Sequence, residues 1–419
     1  MEPLLFLSHR IPFPPNKGDK VRSHHLLKFL ASRYRVFLGT FIDNPEDEVE
    51  MAHLKEYCED WMVVRLHPMR ARLRSLIGVA TNEALTLPYY RSSALHAWVR
   101  STVARHRIAR SVVFSSAMAQ YVEDLPTLTR VVDFVDVDSE KWIDYAKWRS
   151  WPLSLLYRRE GRRLLAFDRH VAGWADASVF VTSAEAALFK TLAPGTGTSV
   201  RVVSNGVDAD FFSPRHDFLS PFPAAEQPIV FTGAMDYWPN VDAAHWFASE
   251  VLPLVRAVQP TARFYVVGNR PSASLQALGK RDDVVVTGRV PDVRPYLKHA
   301  QVVVAPLRVA RGVQNKVLEA MAMAKATVVS EAAAGGVAAR PVEEIDIACD
   351  ADDYARKILA LLGSPRARAM GDAARARVLV EHDWSSNLSR INELLSPSSN
   401  SQRSTEDPAD RAARPLTAA

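Results

Sequence analysis

A lysine and a glutamate stand one turn apart at the start of a predicted helix. Lys316 and Glu319 follow the predicted strand Gln301–Ala305, and Asn315 just before them is suited to be the N-cap. The free N–H groups and the dipole of a helix N-terminus attract an anion such as phosphate. A lysine in that first turn opposes the dipole, and a bound anion would resolve the conflict. The alternative is a surface ion pair between residues i and i+3, worth about 0.2–0.5 kcal/mol.

A second group of charged residues follows the first predicted strand, Leu4–Ser8. Gly18 in the loop after this strand permits close approach of the backbone to a ligand. Positive charge around it comes from Lys17, Lys20 and Arg22. His9 in the same loop is a candidate base on the acceptor side. The alternatives are an ordinary proline-rich loop and a histidine that is simply buried or solvated.

The elements that must position these residues are parallel strands joined by helices. Short Val-, Ile- and Phe-rich runs lack strict polar alternation and are separated by amphipathic stretches, which predicts an α/β fold with strands buried on both faces. The predicted strands are Leu4–Ser8, Arg35–Thr40, Trp61–Leu66, Ser111–Phe114, Arg130–Val135, Ala177–Val181, Ser199–Val203, Ile229–Thr232, Arg263–Val267, Asp283–Thr287, Gln301–Ala305 and Ala326–Val329.

A proline-rich loop around residues 205–228 separates the two series of strands. We predict a first domain over residues 1–205, a second over 206–380, a closing helix over 381–395 and a disordered tail over 396–419. Two doubly wound halves place a ligand cleft between the carboxyl ends of their strands.

Composition excludes several classes of protein. The chain has 419 residues, of which 48% are hydrophobic and 24% charged, as in ordinary globular proteins. No apolar run reaches the roughly 18 residues of a membrane-spanning helix, and the N-terminus has no signal-peptide pattern. Cys58 and Cys349 are far apart and form no metal or disulfide pattern. We therefore expect a cytoplasmic location, no metal and no cofactor.

The segment Arg311–Ala322 resembles the donor-site signature of glycosyltransferase family 4, a Glu-x7-Glu pattern that leads into Leu-Glu-Ala-Met-Ala. The resemblance implies that Glu319, the second glutamate, binds the ribose hydroxyls of a sugar nucleotide. It also implies that amides of the loop and helix start, at Gln314 and Asn315, hold the diphosphate. The first glutamate is Arg311 here, which indicates an altered donor sugar or an arginine that meets the diphosphate directly.

Further segments match the same family in order. Ser204–Phe212 resembles its interdomain segment, and Val286–Val290 resembles the strand and glycine loop that contacts the nucleotide base, which assigns Gly288, Arg289 and Val290 to that contact. His382–Trp384 resembles the start of its closing helix. The resemblance implies the GT-B fold, with two Rossmann-like domains facing a central cleft, and transfer with retention of configuration.

Three segments are similar to the sugar transferases associated with the PEP-CTERM/exosortase exopolysaccharide system: Pro12–Asp19, Asp133–Trp142 and Phe231–Asn240. The last contains Gly233 and opens a helix that we expect Asn240 to cap. Relatives often carry Arg and Lys in this loop for the diphosphate, whereas this loop has neither. Charge compensation would then come from Arg289, Arg311, Lys316 or Lys17.

Asp136 and Asp138 follow the strand Arg130–Val135 and spell Asp-x-Asp. That motif binds a metal and diphosphate in the other large glycosyltransferase fold, but three residues are a weak match. We expect Asp136 or Asp138 to contact sugar hydroxyls without a metal. The alternative is a solvated strand end.

Aromatic and basic residues cluster in two segments of the first half. The first lies between Lys141 and His170 and includes Trp142, Trp148, Trp151, Tyr157 and Phe167; the second combines Arg70, Arg72 and Arg74 with Leu73, Leu76 and Ile77. Such segments can lie in a membrane interface, which would bring the protein to an anionic inner membrane surface. The alternative is a solvated helix that packs its tryptophans inward.

Together these patterns predict a retaining, metal-independent glycosyltransferase that uses a nucleotide-sugar donor and a glycan or lipid-linked acceptor, in exopolysaccharide or cell-surface polysaccharide synthesis. Lys316 and Arg311 are the candidates to stabilise phosphate charge. One alternative is a GT-B epimerase or phosphorylase. A basic nucleic-acid-binding protein is disfavoured, because the net charge is only +5 and no binding motif is present.

Overall fold

The computed structural model of the protein describes residues 1–15, 18–197 and 199–396. Lys17 and almost all of the predicted tail lie outside these ranges. Within them the chain forms two parallel β-sheets, one of seven strands and one of six, with helices on both faces. The predicted α/β class with two doubly wound halves is confirmed.

The first sheet has the order β3-β2-β1-β4-β5-β6-β7. Its strands are β1 (Pro3–Ser8), β2 (Arg35–Ile42), β3 (Cys58–Arg65), β4 (Arg110–Phe114), β5 (Thr129–Val135), β6 (Ala177–Phe180) and β7 (Val200–Val202). Its α-helices are α1 (Gly18–Ala31), α2 (Pro68–Ser75), α3 (Ile77–Ala80), α4 (Thr86–Tyr89), α5 (Ser93–His106), α6 (Asp138–Lys147), α7 (Leu153–Trp174) and α8 (Ser183–Leu192). Pro45–Glu56 and Ser116–Tyr121 are 3₁₀ helices.

The second sheet has the order β10-β9-β8-β11-β12-β13. Its strands are β8 (Gln227–Thr232), β9 (Ala262–Val267), β10 (Val284–Gly288), β11 (Val302–Ala305), β12 (Thr327–Ser330) and β13 (Asp346–Ala348). Its α-helices are α9 (Trp238–Trp246), α10 (Leu252–Val258), α11 (Ala273–Leu278), α12 (Arg294–His299), α13 (Asn315–Ala322), α14 (Glu331–Ala334), α15 (Ala351–Leu361) and α16 (Pro365–Glu381), with a π-helical turn at Phe247–Val251.

Strand β1 shows why the apolar runs became central strands. Leu5 and Leu7 pack into the core on one face of the first sheet, while Leu4 and Phe6 pack into the core on the other face. Both faces are covered, so a continuous apolar run is required instead of an alternating one. All twelve predicted strands overlap observed ones. The short β13 was not predicted, because its three residues include an aspartate and form no apolar run.

The last helix, α17 (Trp384–Leu395), packs against the first sheet after the chain has left the second. Trp384, Leu388, Ile391 and Leu395 lie in the same apolar cluster as Leu4 and Leu27. The strand order reverses between β1 and β4 in one sheet and between β8 and β11 in the other. Ligands bind outside the carboxyl ends of strands at such points, and the loops there carry the residues of the site.

Candidate functional site

Lys316 is the cation at the centre of the second domain's half of the cleft. Its Nζ donates a hydrogen bond to Oδ1 of Asn240 at 2.5 Å and lies 4.6 Å from the centre of the Phe231 ring. A Cβ added to Gly233 would lie 3.0 Å from this Nζ and 2.8 Å from Nδ2 of Asn240. The glycine therefore leaves the ammonium group room beside the loop that follows β8.

Burial sets the charge state of the lysine and the glutamate. It lowers the pKa of Lys316 to about 7, although the charge of Glu319 acts in the opposite direction. It raises the pKa of Glu319 to about 7 against the effect of Lys316. No ion pair joins Lys316 to a carboxylate among the described residues. Both side chains thus bear a desolvation cost, which an anion would relieve at Lys316 and hydrogen-bond donors would relieve at Glu319.

Two expected helix caps are wrong. Gln314, not Asn315, is the N-cap residue of α13, and its side chain makes no capping bond. Asn240 lies inside the first turn of α9, whose N-cap is Tyr237. The amide of Asn240 instead donates to the carbonyl of Ala234 at 2.8 Å and so turns its oxygen toward Lys316. Instead of capping its own helix, the side chain of Asn315 bonds to Asn205, and that of Asn240 bonds to Ala234 and Lys316.

The starts of α1 and α13 face each other across the cleft. A Cβ added to Gly18 would lie 3.9 Å from Nδ2 of Asn315. The side chain of Asn315 also accepts a hydrogen bond at 3.1 Å from Asn205. Two helix N-termini therefore point toward one space, which is a favourable place for a polyanion.

Arg311 joins the two domains. Its Nη2 and Nε contact Oδ2 of Asp144 at 2.7 and 3.1 Å, and its Nη1 lies 3.7 Å from Oε1 of Glu185. Both carboxylates belong to the first domain, so the charge of Arg311 is already balanced. The neighbouring Gln314 donates its side-chain amide to the carbonyl of Arg311 at 3.0 Å.

The positive charge expected around Gly18 is largely neutralised. Lys20 is buried and bonds to Asp47 at 2.5 Å and to the carbonyl of Phe13 at 3.0 Å. Arg22 is buried as well, with Nε bonded to Asp133 at 2.7 Å and Nη1 to Asn205 at 2.9 Å. Carboxylates of the first domain therefore balance the positive charge expected from Lys20 and Arg22, because a lysine and an arginine taken out of water need buried partners.

The buried arginine belongs to a network that spans the interdomain segment. The side-chain amide of Asn205 links Arg22 to Asn315. The backbone carbonyl of Asn205 accepts a hydrogen bond from Nδ1 of His382 at 3.0 Å. Nε2 of His382 in turn accepts from the backbone N–H of Ala338 at 3.3 Å. The network ties the first domain, the crossover segment and the start of α13 together.

His9 lies at the carboxyl end of β1. Its ring stacks on Phe114 with centroids 5.6 Å apart and meets the edge of Tyr90 at 5.7 Å. Nε2 lies 3.5 Å from Oδ2 of Asp19, whose carboxylate also accepts from Arg10 at 2.8 Å. Burial alone would raise the pKa of Asp19, but His9 and Arg10 outweigh it and hold the pKa well below its usual range. A persistent anion is thus held beside His9, suited to orienting an imidazole base.

Asp136 reaches toward the second domain. Its Oδ2 bonds to Lys141 at 2.7 Å, while its buried Oδ1 has no hydrogen-bond partner among the described residues. A Cβ at Gly312 would overlap that Oδ1, and the φ of +65° at this position favours glycine. Asp138 also pairs with Lys141, at 2.9 Å. The carboxylate of Asp136 is held at the seam between the domains.

The segment predicted to meet the nucleotide base lies at the carboxyl end of β10. Gly288 ends this strand, and the side chain of Arg289 after it is exposed. Val290 packs partly against the apolar cluster that contains Phe222 and Tyr265. These residues share the carboxyl edge of the second sheet with Gly233 and the start of α13.

Comparison with known proteins agrees with this arrangement. Residues 226–364 match the sequence model of a family described as "Glycosyl transferases group 1". The second domain carries this match. The matched segment contains Gly233, Lys316 and Glu319. No curated protein sequence matches the chain significantly.

Solved structures resemble nearly the whole chain. Sucrose-phosphate synthase from Thermosynechococcus elongatus has 17% identity and a TM-score of 0.70 over 94% of this chain and 98% of that one. Anabaena HepE in complex with UDP-glucose has 15% identity and a TM-score of 0.64 over 94% and 99%. WaaG, a glycosyltransferase involved in lipopolysaccharide biosynthesis, has 14% identity and a TM-score of 0.64 over 94% and 100%. The GT-B fold is confirmed, and the family match supports a glycosyltransferase.

Several polar partners in the site were missed by sequence reasoning. Asn240 was taken for a helix cap, and Asp144 and Glu185 were not singled out. An aspartate inside a strand, Asp133, was the available signal for a buried cation, because a buried carboxylate requires a partner. The pairing of Arg311 with two carboxylates from another domain has no signal in a single sequence.

Proposed function

We propose that the protein transfers a sugar from a nucleotide-diphosphate sugar to a glycan or lipid-linked acceptor. The observation that carries this proposal is the half-buried Lys316, which has no ion-pair partner among the described residues and lies in the first turn of a helix whose N-cap side chain makes no capping bond. A diphosphate at the start of α13 would supply the missing negative charge.

The remaining donor contacts follow from this placement. Glu319 lies one turn further along α13 and would accept hydrogen bonds from the two ribose hydroxyls, as the family 4 resemblance implies. The loop at residues 288–290 would contact the base. Gly18 would let the start of α1 approach the diphosphate from the first domain. HepE, which has a similar structure, was crystallised in complex with UDP-glucose, and this supports a donor of the same class.

We also propose that configuration is retained without a metal. The described cleft offers Lys316 to stabilise the charge that develops on the leaving diphosphate. That diphosphate would take the proton of the acceptor hydroxyl, with Asp136 and His9 on the acceptor side. Arg311 would hold the two domains in position through its ion pairs with Asp144 and Glu185 and would not contact the donor itself. We propose that the protein acts in exopolysaccharide or cell-surface polysaccharide synthesis in the cytoplasm. For a lipid-linked acceptor, the reaction would take place at the inner face of the membrane.

A thermal-shift screen against UDP-, GDP- and ADP-glucose tests the donor site. One of these nucleotides should raise the melting temperature of the wild-type protein, and Glu319→Ala should abolish the shift. Glu250→Ala, on an exposed position of the second domain, is the matched control and should keep it. Transfer should survive a chelator. The proposal fails if no sugar nucleotide stabilises the protein and Glu319→Ala leaves transfer unchanged. Release of a sugar phosphate when inorganic phosphate is the acceptor would instead identify a phosphorylase.

A further inference from the structure

Helices α2 and α3 expose the side that helices normally bury. Met69, Leu73, Leu76 and Ile77 recur at i, i+4, i+7 and i+8, the spacing of one apolar helix face. Their exposed fractions are 79%, 69%, 51% and 54%, and Val79 beside them is 49% exposed. We call these five residues the α2–α3 face.

The opposite side of the same helices packs against the protein. It consists of small residues, Ala71, Ser75 and Gly78, all of which are buried. A Cβ added to Gly78 would lie 3.3 Å from the carbonyls of Glu83 and Ala84, which keeps α3 close to the following loop. The helices therefore turn small side chains inward and large apolar ones outward, the reverse of a solvated surface helix.

Positive charge accompanies the exposed apolar residues. Arg70, Arg72 and Arg74 are exposed between them, and no acidic residue occurs from Leu66 to Asn82. An apolar face with arginines at its margins fits the surface of an anionic membrane, where apolar lipid chains lie beneath negatively charged headgroups. A symmetric dimer through this face would place the same arginines against each other, which disfavours a second copy as the occupant.

The segment between Lys141 and His170, the other aromatic and basic segment of the first domain, differs from this face. Trp142 and Phe167 pack partly against the core, so the inward-packing alternative holds for them. Trp148 and Trp151 are exposed, but the Trp148 ring lies 6.2 Å from that of Trp238 in the second domain. Leu153 and Leu155 of this segment are exposed as well, but through Trp148 the segment borders the cleft.

Contacts connect the α2–α3 face to the acceptor side of the cleft. Arg74 donates to the carbonyls of Pro88 and Tyr89 at 3.0 and 2.9 Å, which fixes α2 against α4. Tyr90, the next residue, meets the edge of the His9 ring at 5.7 Å. Helix α4 and Tyr90 thus link the helix that carries the α2–α3 face to the acceptor end of the cleft.

We propose that the α2–α3 face docks the protein on an anionic membrane surface and that the acceptor is a lipid held in that membrane. The acceptor part rests on the proposed transferase function, whereas the docking does not. None of the described helices is long and apolar enough to span a bilayer. Docking therefore takes the form of an interfacial contact, with the apolar side chains among the lipid chains and the arginines at the headgroups.

Flotation of the full chain with vesicles tests the docking. The protein should bind vesicles of phosphatidylcholine with about one third phosphatidylglycerol and bind pure phosphatidylcholine less. Leu73→Ser with Ile77→Ser should weaken the partition at least about tenfold, because two apolar side chains leave the interface. Arg70→Gln with Arg72→Gln should weaken it about tenfold at low salt and little at high salt. Arg74 is left in place because it holds α4.

Leu379→Ser with Val380→Ser is the matched control, since it removes two exposed apolar side chains from α16. It should bind vesicles as the wild type does. The proposal is overturned if the wild type does not float or if the Leu73/Ile77 variant floats equally well. It is also overturned if sedimentation shows that the wild type is a dimer through this face and that the variant differs only in being a monomer.

A thermal shift of the Leu73/Ile77 variant with the sugar nucleotide that stabilises the wild type keeps this test separate from that of the proposed function. The shift should remain, since the donor site is untouched. Loss of flotation with an intact shift supports docking alone, and transfer to a membrane lipid extract by the wild type but not by this variant supports the lipid acceptor.

Discussion

The cations of the first-domain side of the cleft and Lys316 of the second-domain side differ in their partners. On the first-domain side, Lys20 pairs with Asp47, Arg22 with Asp133, and Arg10 with two aspartates. On the second-domain side, the Lys316 ammonium forms no ion pair among the described residues. It contacts an amide and a ring, and the charge of Glu319 acts on it from beyond ion-pair distance. Buried charges that are paired hold a structure together, whereas a buried charge without a counter-charge is an open position for a ligand.

This difference separates scaffold from site more clearly than residue type does. From the sequence, Lys20 and Arg22 were expected to supply positive charge beside Gly18, and Lys316 to stabilise phosphate charge. Their partners decide between them. Substitutions on the first-domain side should therefore change stability, and those on the second-domain side should change donor binding and turnover.

The largest expected effect is on stability, from Arg22→Met. Burial raises the pKa of Asp133 although Arg22 opposes the shift, and removing the arginine leaves this carboxylate buried without its cation. We expect a loss of about 3–5 kcal/mol in the free energy of unfolding, measured by urea denaturation. Adding Asp133→Asn should restore more than half of the loss, because no charge is then stranded. A single variant as stable as the wild type would contradict the scaffold role.

Lys316→Met should act in the opposite way. Transfer should fall about 10²–10³-fold in kcat, as for loss of a group that stabilises developing charge. Folding stability should stay within about 1 kcal/mol of the wild type, because the lost hydrogen bond to Asn240 is offset by the removal of a desolvated charge. Steady-state kinetics and thermal unfolding measure the two effects. A fold that collapses, or a turnover that persists, would place Lys316 in the scaffold.

The pH dependence of donor binding should be intermediate in size. The pKa of Lys316 is lowered to about 7 by burial in the free protein, and a bound diphosphate favours the charged form. Binding above pH 7 must therefore take up a proton at Lys316. Below pH 7 it must release one from Glu319, whose pKa is also raised to about 7 and which accepts from the ribose as a carboxylate. Affinity for a sugar nucleotide should thus be highest near pH 7 and fall about tenfold within about one and a half pH units on either side. Calorimetry in buffers of different ionisation enthalpy measures the uptake. Lys316→Met should show no such uptake, and a flat wild-type profile would be inconsistent with the pKa.

The smallest effect is expected from Arg311→Gln. The arginine and Asp144 are each 23% exposed at the side chain, so their ion pair contributes about 1 kcal/mol or less. We expect a change of no more than about fivefold in kcat/KM. Asp144→Asn should act alike, and the double variant should be no worse than either single one. A loss of 100-fold for Arg311→Gln alone would mean that this arginine meets the diphosphate after all.

Features that depend on residues close together in the chain could be predicted from the sequence, whereas contacts between distant residues could not. Strands such as β1 and β8 are apolar runs whose burial on both faces is written locally, so all twelve of the expected strands were found. The start of α13 with Lys316 and Glu319 was also found, since a strand, loop and helix lie together in the chain. Asn240 was misread as a helix cap, and the ion pair of Arg311 was not foreseen, because their partners are 76 and 167 residues away. No local pattern encodes a hydrogen bond of that separation.

A crystal structure of the protein with UDP would locate the donor on one side of the cleft or the other. We expect the diphosphate within hydrogen-bonding distance of Lys316 Nζ and the N–H groups at the start of α13, with the ribose hydroxyls at Glu319. Diphosphate density against Arg22 or Lys20, with their ion pairs broken and Lys316 left without a phosphate, would contradict the assignment of the donor to the second domain.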